Sequence, residues 1–162
     1  IMKITLRKAL NLKNKLVGEI NELGSIIVSH NRYETGRNSL SEKIDVKLKL
    51  SEYIKKKNDL TALKIAIVNA NANSDGSNSI YGTLMKIEET KSLISFLKGI
   101  QTDTTCREQT DYRTNTTTIT EVKVQVSYEE IQGLIKKAEK QIEEFLDAVE
   151  EFNGTTRIEV NI

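Results

Sequence analysis

Between Ser127 and Phe152, eight apolar residues recur at alternating steps of three and four: Tyr128, Ile131, Ile135, Ala138, Ile142, Phe145, Val149 and Phe152. Glu, Lys and Gln fill most positions between them. The spacing keeps the apolar side chains on one stripe of a helix and predicts a long helix packed along another. Ser127 and Glu130 have the spacing of a capping box at its start, and Asn153-Gly154 is expected to close it.

Three more stripes share this character. Residues 6–30 predict a helix with Leu6, Ala9, Leu10, Leu16, Val17, Ile20, Leu23, Ile27 and Val28 on one face. Gly18 and Gly24 interrupt it, each weakening the helix by about 1 kcal/mol relative to Ala unless a neighbour needs the close approach. Residues 45–72 predict a second helix with Leu50, Ile54, Leu60, Leu63, Ile67 and Ala70 along its seam. A turn signal at 73–78, centred on Asp75-Gly76, leads into a third helix carrying Ile80, Leu84, Ile87, Ile94, Leu97 and Ile100. Gly99 stands where a C-cap glycine would. Lys13 and Lys57 fall at apolar positions of the first two stripes and read as seam edges whose amines reach water. The chain contains no Pro, which suits uninterrupted helices.

Elsewhere the character changes. Residues 30–41 read as a loop by composition. Residues 101–118 are polar and rich in Thr, a residue that disfavours helix and favours strand. In 120–126, Val122, Val124 and Val126 alternate with polar residues, so 110–126 predicts a β-hairpin turning near Thr114-Asn115. Met2 and Ile4 at one end, and Ile158, Val160 and Ile162 at the other, predict short terminal strands. A lone hairpin is marginal in water, so these strands need one another, a helix face or a second subunit. The expected fold is mainly α. It is an elongated, coiled-coil-like antiparallel hairpin or bundle of four helices with a small β-hairpin insert and short terminal strands. Residues 1–162 form one helical domain with a Thr-rich β insert at 101–126. Long seams often continue between chains, so a homo-oligomer is expected.

Composition excludes several functions. Lys and Arg nearly balance Asp and Glu, for a net charge of +1, so no extended basic surface for long nucleic acid is expected. No apolar run approaches the roughly 20 residues that span a bilayer, and no signal-peptide core is visible; a cytoplasmic, membrane-free protein is expected. Cys106 and His30 are the only residues of their types, which precludes an intramolecular disulfide and a Cys-based zinc site. The pairs Glu88-Glu89, Glu129-Glu130, Glu143-Glu144 and Glu150-Glu151 read as solvated helix faces. With one histidine at a helix end and no acid–base constellation, neither an enzyme nor a cofactor is expected.

Two polar clusters have the chemistry of a phosphate-binding site. One is His30, Arg32, Tyr33 and Arg37. The other is Arg107, Tyr112 and Arg113, joined by Lys123 and Arg157. Arg forks grip phosphate oxygens in pairs, Tyr stacks on a base, and Thr hydroxyls add hydrogen bonds.

The layout also resembles a known family. "MKITLRKALNLKNKLVGEINEL" leads into a polar loop, a second helix ends "LTALKIAIVNANA", and "IYGTLMKIEETKSLISFLKGI" precedes the β insert. The last helix closes on "FLDAVEEFNGTTRIEV". This order is similar to that of the septicolysin-like bacterial and phage proteins, with Asn69, Asn71, Asn153, Thr155 and Thr156 as the most family-like polar positions. The resemblance implies an α-helical, self-assembling protein without established enzymatic activity. The family name suggests pore formation, but the candidate strands alternate only briefly. The leading expectation is a non-catalytic homo-oligomer that binds or sequesters a small anionic, nucleotide-derived ligand between subunits, as a phage anti-defence protein would. The alternatives are a virion or scaffold component that self-assembles, and a pore former.

Overall fold

Each helix with a described start begins where a side chain can satisfy its free N–H groups. In the computed structural model, which describes residues 4–35, 44–71 and 80–155, α1 (Leu6–His30) opens on Thr5, whose Oγ1 accepts the Lys8 N–H at 3.3 Å. Asp45 caps α2 (Val46–Asn71), its Oδ1 accepting the Leu48 N–H at 3.0 Å. The predicted capping box is present on α4 (Tyr128–Thr155). Ser127 N–H donates to Glu130 Oε2 at 2.8 Å, and Glu130 N–H to Ser127 Oγ at 3.2 Å. The fourth helix is α3 (Ile80–Lys98). The described residues are therefore mainly helical, with four helices and one small sheet among them.

Two predicted helix ends differ. Asn153 and Gly154 keep helical backbone and α4 runs through them to Thr155; glycine permits the left-handed turn that stops a helix but does not impose it. After α3, Gly99 is likewise not left-handed. The helix instead tightens, with Gly99 N–H bonded to Phe96 O at 3.0 Å and Ile100 N–H to Leu97 O at 3.2 Å.

The sheet corrects the reading of 30–41 as loop throughout. Arg32–Thr35 forms strand β1 and pairs antiparallel with β3 (Thr116–Val124), from Arg32 opposite Val124 to Thr35 opposite Glu121. Four polar residues carry too short a pattern to announce a strand; the partner makes them one. Strand β2 (Thr105–Asp111) pairs with the other side of β3, so the order is β1-β3-β2. The hairpin turns where expected. Asn115 is left-handed at φ 50°, and Asp111 Oδ1 accepts the Arg113 N–H at 2.9 Å. β2 begins at Thr105, earlier than the predicted Thr110. Of the predicted terminal strands, Ile4 is in none; residues 1–3 and 156–162, like the turn at 73–78, lie outside the described residues.

α1 packs on α2, α2 on α3, and α3 on α4. Rising numbers on one helix meet falling numbers on the next. Glu19 reaches Lys56 while Gly24 faces Tyr53, and Tyr53 stacks on Phe96 while Lys57 meets Glu89. The largest core cluster lies toward one end of the bundle, while Ala9, Ile65, Ile67 and Ile87 are buried toward the other. In that cluster Ile27, Val46, Leu97, Ile100 and Val126 are buried beside Ile131, Ile135 and Ala138. The α4 stripe is thus covered over its first half, whereas Phe152 at its far end is 43% exposed. The sheet is attached at the covered end, through the β3–α4 junction.

The two α1 glycines separate cleanly. A Cβ at Gly24 would lie 3.3 Å from the Phe96 ring and 3.4 Å from the Tyr53 ring, so the stacked pair requires the close approach. A Cβ at Gly18 meets nothing within 4 Å. Gly18→Ala is therefore expected to raise the unfolding free energy by about 1 kcal/mol in urea, and Gly24→Ala to give no such gain. An equal response at both positions would contradict the packing described.

Candidate functional site

Among the described residues, those singled out from sequence lie apart within one chain. Arg32 is a tie rather than a free fork: Nη1 donates to Gln101 Oε1 at 2.9 Å and Nη2 pairs with Asp103 Oδ2 at 3.0 Å. Its Nε is buried and has no partner among the described residues. Tyr33, the next residue along β1, occupies the opposite face of the sheet, as successive strand residues must. His30 ends α1, its Nδ1 3.0 Å from the Ile26 carbonyl and 2.8 Å from Ser29 Oγ. Arg107 sits opposite Thr120, four positions along β3 from the partner of Arg32, or about 13 Å along the strand. Tyr112 and Arg113 lie in the hairpin turn, and Lys123 pairs with Glu121 at 3.1 Å. Arg37 and Arg157 lie outside the described residues.

What the sequence reading missed is a buried polar lock at the base of the sheet. Asn31 is fully buried. Its Nδ2 donates to Gln101 O at 2.8 Å and more weakly to Val126 O at 3.4 Å, while its Oδ1 accepts the Val126 N–H at 2.9 Å. Beside it, Gln125 Oε1 accepts the Val46 N–H at 3.0 Å, and Nε2 donates to Ile44 O at 2.7 Å and His30 O at 3.3 Å. The two amides close the end of α1, the start of α2, the α3–β2 link and the start of α4 onto one another. In sequence, Gln125 is only a polar residue between two valines and Asn31 only a residue after a helix, so neither gives a signal.

A second polar group sits among α2, α3 and α4. Glu89, 15% exposed, takes Lys57 at 3.1 Å on one oxygen and Lys64 on the other. Lys57 also donates to Ser92 Oγ at 3.0 Å and is only 13% exposed. This corrects both earlier readings: Lys57 is not a seam edge, and Glu89 is not on a solvated face. Burial opposes ionisation of Glu89, but the hydrogen bonds from Lys64 and Lys57 outweigh it and hold the carboxyl below its ordinary range. The other displaced groups are explained by partners or burial too. Hydrogen bonding between Glu19 and Lys56 lowers the former and raises the latter. Glu130 is lowered by Lys47, and burial raises Tyr53. The ion pairs of Glu89 border a cleft of about 440 Å³, with Ile65, Leu93 and Phe145 on its walls and Lys86 5.8 Å above the Phe145 ring.

The third feature is the hairpin itself. From Arg107 to Ile119 every residue is exposed except Thr110, which is half-buried. Tyr112 is 93% and Ile119 54% exposed. β1 covers β3 only from Glu121 onward, so the rest is a two-stranded ribbon standing off the bundle. Thr110 and Thr117 face each other across it, with their hydroxyls 3.3 Å apart.

Among the described residues, no three His, Cys, Asp or Glu side chains converge as metal ligands, and no helix is long and apolar enough to cross a membrane. No family model, curated protein or solved structure matches this chain.

Proposed function

We propose that this protein is a non-catalytic self-assembling module, a helical body that presents a β-ribbon for association. The ribbon carries this reading. A two-stranded hairpin with both faces in water is marginally stable alone, and open strand edges attract further strands. The ribbon keeps Tyr112 and Ile119 uncovered. The non-catalytic part draws support from the displaced titratable groups, which are held in ion pairs or core rather than poised toward a reacting centre. A helix such as α4, with 28 residues, is about 42 Å long, which favours a body drawn out along one axis. Self-assembly is also what the septicolysin-like resemblance implies. Multi-angle light scattering of the intact chain at micromolar concentration tests the reading. A defined oligomer is expected, and a monomer across that range would overturn it.

A second reading is favoured by the charge of the interhelical cleft. Lys57 and Lys86 line it and Lys64 adjoins it, against the single carboxylate of Glu89. That surplus suits a small anionic ligand, and the volume is within the range of small-molecule sites. Calorimetry against cyclic and linear nucleotides tests it. Saturable heat that Lys86→Ala weakens is expected; no heat across the panel, or affinity indifferent to Lys86, removes it.

A further inference from the structure

We propose that the outer edge of β2 pairs antiparallel with β2 of a second copy, about a twofold axis through Gln109, joining two ribbons into one continuous sheet. This rests on the self-assembly reading and names the surface.

Hydrogen-bond parity comes first. Gln125 N–H donates to Asn31 O at 3.0 Å, continuing the β1–β3 ladder. Residues 121, 123 and 125 therefore bond toward β1, and the even positions of β3 bond toward β2, because bonding sides alternate along an antiparallel strand. Their partners on β2 are Thr105, Arg107, Gln109 and Asp111. Cys106, Glu108 and Thr110 consequently direct their N–H and C=O groups outward. The strand order leaves that edge unpaired among the described residues. It also lacks the Lys, Pro and bulges that commonly blunt an edge.

Charge selects the register. A twofold axis normal to the sheet must pass through a residue that faces its own copy. Centred on Gln109, Arg107 lies opposite Asp111 of the second copy, twice by symmetry, and Glu108 lies opposite Thr110. Centred on Arg107 or Glu108, a charge meets itself, which is unfavourable. Centred on Cys106 or Thr110, no opposite charges face each other. Among the registers centred on residues 106 to 110, which keep the pairing within the strand, only that of Gln109 is charge-complementary. It is also sterically open: Gln109 is four residues from Thr105, about 13 Å, so the two bundles sit at opposite ends of the joint ribbon.

Cysteine cross-linking of the full chain tests this. Gln109→Cys in a Cys106→Ser background is expected to form a disulfide-linked dimer under mild oxidation. Native Cys106 would lie opposite position 112 of the second copy, about 20 Å from its own counterpart, and is expected to stay monomeric on the same gel. Arg107→Asp and Asp111→Arg should each weaken the dimer at least tenfold, and the double variant should restore it. No cross-link at position 109, or equal cross-linking through Cys106, overturns the register. An oligomer that survives Arg107→Asp unchanged overturns this edge while leaving self-assembly standing; a monomeric wild type removes both.

Discussion

Glu89→Ala is expected to destabilise the fold by about 3–5 kcal/mol, because it strands Lys57 rather than because it removes an attraction. Lys57 is 13% exposed and, among the described residues, its amine is bonded to Glu89 and Ser92. Without the carboxylate, the Lys57 ammonium keeps Ser92 alone of these two partners in a largely buried seam between α2 and α3, unless the helices part to admit water. Lys64 is 31% exposed and can turn outward. Replacing both buried partners separates the stranded charge from lost packing: Lys57→Met with Glu89→Leu is expected to recover most of the loss. Urea unfolding decides it. A loss under about 1 kcal/mol for Glu89→Ala, or a double variant no better than the single, would show that the pair is screened by water.

The same carboxylate gives a pH signature. Its folded pKa lies below the ordinary value of 4.5. The unfolded chain therefore takes up the proton first, and stability from this site is fully present above about pH 4.5. That contribution is lost as pH falls through the folded value. The gap in unfolding free energy between wild type and Glu89→Gln should accordingly narrow below pH 4.5 and be constant above it.

The helices were legible because each is a local pattern. The α4 stripe, the Ser127/Glu130 box and the stripe from Leu6 to Val28 each specify a helix without knowledge of the rest. The Val122-x-Val124 alternation and Asn115 located the hairpin in the same way. β1 was not legible, since Arg32–Thr35 is a strand only against residues that follow it by 86 to 92 positions, from Thr35–Glu121 to Arg32–Val124. Periodicity correctly put Lys57 on the seam. Its charge then suggested an edge, because the answering carboxylate lies on another helix. The described candidate site residues lie apart within one chain for a related reason. Arg32 and Tyr33 are neighbours in sequence but occupy opposite faces of one sheet, and Arg32 is taken by Asp103. A cluster of suitable residue types shows palette, whereas a site needs convergence.

The buried lock at Asn31 carries the other large effect, with the opposite pH sense. Its side-chain partners, Gln101 and Val126, lie 70 and 95 residues further along the chain. Asn31→Ala leaves the buried Val126 N–H without a partner, at about 1–3 kcal/mol, and takes the donor from the part-buried Gln101 carbonyl, at about 1 kcal/mol, so a loss of about 2–4 kcal/mol is expected. Asn31→Asp is nearly isosteric but still destabilising. One oxygen can keep the Val126 N–H, while the other replaces a donor and faces the Gln101 and Val126 carbonyls. The ionised form is therefore penalised and the protonated form can donate, which raises the folded pKa above the unfolded value of about 3.9. The native state then holds the proton longer than the unfolded chain, so the cost of Asn31→Asp should grow as pH rises above about 4 until the folded carboxyl is ionised. Chemical denaturation at pH 4 and pH 7 reads this directly. A cost that is flat with pH, or an Asn31→Ala variant within 1 kcal/mol of wild type, would mean that water fills the lock and that the sheet is not fastened to the bundle through this amide.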